Sequence, residues 1–207
     1  MEAPLEDRGS GLAPAGEGWF VVNVADAEWL TSEGGELRPS GSECSFESAA
    51  AEFAEVGVRI HVLPPGEPNG LYHGESQQED FLVLAGECVL LVEGKERRLK
   101  QWDFVHCPAW TEHIFSGAGD VPCVIVMVGS RTGERKVRYP VSELAASRGA
   151  SVDKEVTSPA EAYGGSFEPS RARGRRTGAA CPGASRRYYL RTNIRGRPGF
   201  DVVDPSG

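Results

Sequence analysis

The residues best suited to chemistry lie between positions 70 and 117, where two histidines and two glutamates are set among short apolar runs. His73, Glu75 and Glu79 are close together in the chain, and His113 follows about one hairpin later. Because side chains alternate along a strand, His73 and Glu75 point to the same face if their segment is extended. Imidazole and carboxylate groups are donors that divalent transition metals accept. The spacing therefore indicates that this pair could share one ion.

The elements around these residues have the pattern of short β-strands. Apolar runs at 81–85 and 88–92 are each followed by a glycine-containing turn, which predicts consecutive antiparallel strands. Further runs of strand length lie at 58–63, 95–100, 103–107 and 121–128. Strands at this density, with no helical period between them, indicate an all-β sandwich or barrel.

This stretch resembles the two-part signature of the cupin superfamily. Residues 73–79 read His-Gly-Glu-Ser-Gln-Gln-Glu and are followed after six residues by Gly86, while residues 108–113 read Pro-Ala-Trp-Thr-Glu-His. The resemblance implies a cupin-type double-stranded β-barrel, or jelly roll, with short flanking helices. It also implies that His73, Glu75, Glu79 and His113 are metal ligands. Glu75 stands where the family usually has a second histidine.

The implied cofactor is one divalent transition metal per chain. Two imidazoles and two carboxylates suit iron, manganese or zinc, whereas magnesium and calcium favour more oxygen ligands. Two interpretations of Glu75 stay open. It could be the fourth ligand, or His73, Glu79 and His113 could hold the ion alone and leave Glu75 as a catalytic general base.

Two departures from the cupin pattern concern glycines that are replaced by Trp102 and Trp110. We therefore expect the turns on either side of the intervening strand to lack glycine geometry, and Trp110 to narrow the barrel mouth. Phe115 would help Trp110 to shape the pocket. Two other histidines, His61 and His106, are interpreted as hydrogen-bonded strand residues and not as ligands.

The function that these features favour is a metal-dependent enzyme acting on a small molecule inside the barrel. Dioxygenase-type oxidation, an oxidoreductase activity, is the first hypothesis, and isomerisation of a sugar-like or keto compound is the second. The alternative is a non-catalytic module that binds or senses a small molecule or a metal. The predicted strand Trp19–Asn23 would join the sheet of a second subunit, as the resemblance implies, so we expect a homodimer.

Composition limits the partners and the compartment. The 207 residues carry a net charge of −8, which argues against nucleic acid as the main partner. Five cysteines with no paired spacing indicate reduced thiols and a cytoplasmic setting. No apolar run approaches the length of about 20 residues that a membrane helix needs. The acidic start of the chain does not resemble a secretory signal.

The chain divides into four predicted segments. Residues 1–18 form a flexible N-terminal segment, 19–140 the barrel, 141–164 two short helices packed on its outside, and 165–207 a basic low-complexity tail. The last segment holds nine arginines and three acidic residues, and we expect it to be disordered. Within the barrel segment, residues 31–48 are rich in serine, glycine and glutamate, which predicts a loop that folds across the barrel opening.

Overall fold

The computed structural model describes residues 1–33, 40–164, 188–192 and 198–202. Short strands dominate the part from Met1 to Gly174, and all of the strand pairs between them are antiparallel. The strands are β1 (Leu5–Asp7), β2 (Leu12–Pro14), β3 (Trp29–Glu33), β4 (Ser40–Ser45), β5 (Val56–Leu63), β6 (Gly74–Glu75), β7 (Glu79–Ala85), β8 (Glu87–Val92), β9 (Lys95–Lys100), β10 (Phe104–Cys107), β11 (His113–Ala118), β12 (Cys123–Ser130) and β13 (Val137–Arg138).

Two sheets enclose the main core. One has six strands in the order β10-β7-β12-β5-β4-β3, and the other has three in the order β11-β8-β9. Apolar side chains from both sheets form one buried cluster that includes Leu63, Val83, Leu90, Phe115 and Ile125. Because side chains alternate along each strand, the same strands that fill this core also present residues to a neighbouring cavity. The predicted jelly-roll fold is confirmed.

Two short helices flank the sheets where the sequence predicted them. The helix α1 (Glu143–Ala146) is capped by the Ser142 hydroxyl, which accepts a hydrogen bond from the Ala145 N–H. The helix α2 (Pro159–Ala162) begins with proline after Ser158, whose hydroxyl caps it in the same way. Buried residues of the two helical segments pack against the outer sheet face at Tyr72 and Ile114, and against Leu71, Val137 and Tyr139.

The turns at Trp102 and Trp110 differ from the prediction. Both tryptophans have positive φ angles, 73° and 68°, so they adopt the left-handed conformation that glycine would normally supply. The expectation that these turns could not have glycine geometry was wrong, because the surrounding structure imposes the turn at the cost of local strain. Gly86 has the expected positive φ of 69°, and a Cβ there would clash with the Pro122 carbonyl oxygen.

The N-terminal region is organised differently from the prediction. Within residues 31–48, the end of β3 and β4 pair as antiparallel strands at the edge of the six-stranded sheet, where a loop was predicted, and residues 34–39 lie outside the described part of the chain. Trp19–Asn23 contains no strand, only an isolated bridge between Trp19 and Glu2. Residues 1–18, expected to be flexible, include the β1–β2 hairpin. The homodimer, for which the Trp19–Asn23 strand was the expected link, stays a prediction.

The C-terminal unit spans Arg175 to Gly207. Within it, the strands β14 (Tyr188–Thr192) and β15 (Pro198–Val202) pair as an antiparallel hairpin. The pattern of a basic low-complexity tail did not predict this hairpin. The rest of the predicted disordered tail, 165–187, 193–197 and 203–207, lies outside the described residues. Among the described helices, none has the length and apolar character needed to cross a membrane.

Candidate metal centre

Three of the four predicted ligands converge. His73 lies just before β6, Glu79 begins β7 and His113 begins β11. A backbone bridge between His73 and His113, with N···O distances of 3.2 and 2.8 Å, brings the two histidines side by side. One donor atom from each of His73, Glu79 and His113 lies within 4.8 Å of the others. This spacing fits three ligands around one ion.

The orientation of both imidazoles is fixed from behind. The Nδ1 atom of His73 lies 2.7 Å from the Leu71 carbonyl oxygen, and that of His113 lies 3.0 Å from the Thr111 carbonyl oxygen. A carbonyl can only accept a hydrogen bond, so each Nδ1 carries the proton and donates. In the neutral ring, Nε2 is then left with a lone pair for a metal. Ligating histidines in proteins are commonly oriented in this way.

Burial shapes the protonation of the three donors. It lowers the pKa of His113 to about 4, so this imidazole is neutral at physiological pH. Burial also raises the pKa of Glu79 to about 7, and the charge of Glu75 adds to the effect. For His73, burial lowers the pKa, but the hydrogen bond to Glu75 and the charge of Glu79 outweigh burial and raise it. Without a metal, Glu79 and His73 therefore tend to be protonated, and an ion would have to displace these protons.

Glu75 is close to this group but is held by another partner. Its Oε1 atom lies 3.5 Å from the Nε2 atom of His73. Arg135 binds both carboxylate oxygens, with its Nε atom donating to Oε2 at 2.8 Å and its Nη2 atom donating to Oε1. Burial raises the pKa of Glu75, but the hydrogen bonds from Arg135 and His73 outweigh burial and lower it to about 2. A carboxylate with such a low pKa is a weak general base.

The centre opens into a cavity of about 890 Å³. Apolar atoms of Phe81 and Met127 line it together with the polar groups of Asn69, Gln77 and Tyr139. The β3–β4 hairpin contributes to the wall through Leu30, Thr31, Gly41 and Glu43. A volume of this size admits a small organic molecule. The segment predicted to close the barrel opening therefore does line the cavity, but as paired strands.

Other predicted site residues have different positions. Phe115 is fully buried in the core and does not line the cavity. Trp110 lines a separate depression on the other side of Arg135, so the prediction that it narrows the mouth was wrong. His106 forms a surface hydrogen bond with Asp80, with 2.6 Å between Nδ1 and Oδ1, as the sequence interpretation predicted. His61 is buried and its side chain borders the cavity, which that interpretation did not include.

Sequence analysis missed Arg135 and Tyr139. Both residues lie near the end of the predicted barrel segment 19–140, and neither was predicted to be a site residue. The ring centroid of Tyr139 lies 5.7 Å from that of His73. Burial raises the pKa of Tyr139, so its phenol remains protonated. The sequence signal for both residues was weak, because they lie after the last predicted strand and outside any motif.

The donor set fits a transition metal. Two imidazole nitrogens and one carboxylate match the facial arrangement that binds iron, manganese or zinc with positions left for other ligands. Calcium and magnesium would require more oxygen atoms than Glu79 supplies. Within the described residues, no other group of histidine, cysteine or acidic side chains meets at comparable distances.

Sequence comparison agrees with the fold. Residues 59–129 match the family model of the cupin domain, and this range contains all four predicted ligands. The protein is thus a β-sandwich with a candidate metal centre beside a small-molecule cavity. The chain carries a cupin domain at residues 59–129. None of the curated proteins compared with it matches in sequence.

Solved structures with a similar fold include proteins of different activities. A sugar phosphate isomerase of the cupin superfamily from Silicibacter pomeroyi is 26% identical over 69% of this chain and 83% of that chain, with a TM-score of 0.46. The polyketide cyclase RemF from Streptomyces resistomycificus is 14% identical over 56% of this chain and 80% of that chain, with a TM-score of 0.47. The DMSP lyase DddQ from Ruegeria pomeroyi is 20% identical over 53% and 59%, with a TM-score of 0.42. The chain therefore spans less than two thirds of the length of this lyase.

Proposed function

We propose that the protein is a metal-dependent enzyme that oxidises a small molecule in the cavity, by chemistry of the dioxygenase type. The observation that carries this proposal is the convergence of two oriented imidazoles and one carboxylate on a single point of the cavity wall. Iron bound there would supply Lewis-acid and redox chemistry at positions that the protein does not fill. A metal site closed by four protein ligands would not serve this purpose.

Oxidation is favoured over isomerisation by the surroundings of Glu75. An isomerase that moves a proton between carbon atoms needs a base whose pKa lies near the working pH. Glu75 is the carboxylate beside the triad that was predicted for this role, and Arg135 holds its pKa at about 2. Chemistry centred on the metal makes no such demand on Glu75.

The chain's own residues have defined roles in this proposal. Glu79 would hold the ion as a carboxylate, which would require loss of the proton that its raised pKa favours and would supply one negative ligand. Tyr139 keeps its phenol proton and is placed to donate a hydrogen bond to a substrate oxygen beside His73. Phe81 and Met127 supply apolar surface and exclude water from the carbon skeleton.

The test uses nitric oxide as a probe of the open position. The chelator-treated full chain is loaded with Fe²⁺ without oxygen, exposed to nitric oxide and examined by electron paramagnetic resonance. We expect the spectrum of an Fe²⁺–nitric oxide complex in the wild type and its loss in His113→Ala, whereas the surface variant His106→Ala behaves as wild type. Iron that binds but gives no nitric oxide complex would contradict the proposal. Stoichiometric zinc in the purified protein, without retained iron, would instead favour a binding module.

A further inference from the structure

Glu75 and Arg135 are brought together by the backbone, not by a chance contact of two flexible side chains. The strands β6 and β13 pair with Val137 opposite Glu75, and the Ser76 N–H donates to the Lys136 carbonyl at 2.8 Å. The Ser76 hydroxyl in turn accepts from the Lys136 N–H at 2.8 Å. This ladder fixes the two segments at the point where the Arg135 side chain reaches Glu75. The ion pair is therefore part of the local fold.

The pair gives each carboxylate oxygen of Glu75 a hydrogen bond from Arg135. Its side chain is 8% exposed, and the fork of the Arg135 guanidinium binds both of its oxygens. Two-point binding of this kind gives an arginine–carboxylate pair both strength and a fixed orientation. For Glu75 to bind an ion beside His73, at least one of its oxygens would have to leave Arg135. The guanidinium would then lose a partner at the edge of the cavity.

The positions of the metal donors agree with the view that Glu75 binds Arg135 and not the ion. Glu75 is close enough to be a ligand, since its Oε1 atom lies 3.5 Å from the Nε2 atom of His73. The donor atoms that meet within 4.8 Å nevertheless belong to His73, Glu79 and His113. The residue at the position of the family's additional histidine has thus been taken out of the group by an arginine from a segment 60 residues away.

We propose that Arg135 is a positioning residue that withholds Glu75 from the metal, so that His73, Glu79 and His113 alone hold the ion and one more position stays open for a ligand. This inference rests on the proposed metal site but not on the reaction that occurs there. It assigns the number of protein ligands to a residue that is not itself a ligand. Glu75 is then neither the fourth ligand nor the general base that its sequence position suggested, but the carboxylate that Arg135 holds away from the ion.

The experiment counts the water molecules on bound Mn²⁺. The full chain is stripped with a chelator, titrated with Mn²⁺ by electron paramagnetic resonance, and its bound water is counted by water-proton relaxation. Three protein ligands leave about three waters on a six-coordinate Mn²⁺ ion, and four leave about two. We expect about three waters in the wild type.

Variants separate the role of Arg135 from that of its charge. In Arg135→Gln the freed Glu75 should bind, which removes one water and tightens Mn²⁺ binding by on the order of tenfold. In the double variant Glu75→Gln/Arg135→Gln, about three waters should return. Lys136→Gln makes the same charge change one residue away, on the exposed side chain that pairs with Glu134, and should leave the count unchanged. A tighter affinity in Arg135→Gln without a lost water would reflect charge alone and would overturn the proposal.

The outcomes distinguish this inference from the proposed function. About two waters in the wild type, together with weaker binding by tenfold or more in the double variant, would make Glu75 a ligand and overturn the inference while the metal enzyme remains. A wild-type chain that takes up no Mn²⁺ and no Fe²⁺ would overturn both. The wild-type count needs no substitution, so it gives the number of protein ligands even if a variant fails to fold.

Discussion

Metal affinity at this site should depend steeply on pH, because protons and the ion compete for the same atoms. In the metal-free protein, burial and the charge of Glu75 raise the pKa of Glu79 to about 7. The pKa of His73 is also raised, whereas that of His113 is lowered to about 4 and does not affect binding near neutrality. An ion that binds Glu79 and His73 must displace the protons that these groups carry. Affinity should therefore rise with pH through 7.

The size of the effect follows from the pKa of Glu79. The ionised fraction of a group with a pKa of about 7 falls from about nine tenths at pH 8 to about one tenth at pH 6. Glu79 alone should thus weaken Mn²⁺ binding about tenfold between these two pH values, or about 1.4 kcal/mol of binding free energy. Protonation of His73 acts in the same direction, so tenfold is a lower limit for the change in Mn²⁺ affinity.

The assay is a titration of the stripped full chain with Mn²⁺ at pH 6, 7 and 8, with calorimetry at pH 7 in buffers of different ionisation enthalpy. Calorimetry should detect release of about half a proton or more for each ion bound. The variant His106→Gln is the control, because His106 pairs with Asp80 at the surface and should leave the pH dependence intact. Affinity that changes less than twofold between pH 6 and pH 8, with no proton released, would refute the competition.

Three further predictions concern the electrostatics and the backbone. At pH 8, the free energy of unfolding of metal-free Glu79→Gln should be about 1–3 kcal/mol higher than that of the wild type, since a carboxyl whose pKa is raised in the folded state destabilises the fold above its unfolded pKa. Chemical denaturation that gives equal stability at pH 8, or the same gain at pH 4, would contradict this. At Trp102, the glycine variant should be more stable than the alanine variant by about 1 kcal/mol, because φ is 73°. The opposite order is expected at Phe104. Thermal unfolding in which the alanine variant is the more stable at both positions would contradict the predicted strain. Arg131→Met should lower the free energy of unfolding by about 2–3 kcal/mol, since it leaves the nearly buried carboxylate of Glu47 without its two-point partner. The double variant Glu47→Gln/Arg131→Met should recover stability, whereas an Arg131→Met variant as stable as wild type would contradict the prediction.

The fold and most of the ligands could be predicted because their signals are local. The alternating run 58–63 and the continuous apolar run 88–92 both predict strands, and a glycine such as Gly86 marks a turn that other residues resist. The spacing of His73, Glu79 and His113 then places each donor at or just before the start of a strand. The short helices were predictable for the same reason, since the serine caps are read within four residues.

Features that depend on distant contacts could not be predicted. The partner of Glu75 was hidden because Arg135 reaches it only through the pairing of β13 with β6. The left-handed turns at Trp102 and Trp110 oppose the local preference of tryptophan, so only tertiary structure could impose them. The segment with β4 contains few strand-forming residues, and it becomes a strand through its pairing with β5.

Elemental analysis of the purified full chain, expressed without added metals, tests the central claim most directly. The account predicts about one iron or manganese ion for each wild-type chain and loss of most of it in His73→Ala, Glu79→Gln and His113→Ala, with wild-type content in the surface control His106→Ala. A wild-type chain without stoichiometric metal would contradict the account. Metal that survives all three substitutions would do the same.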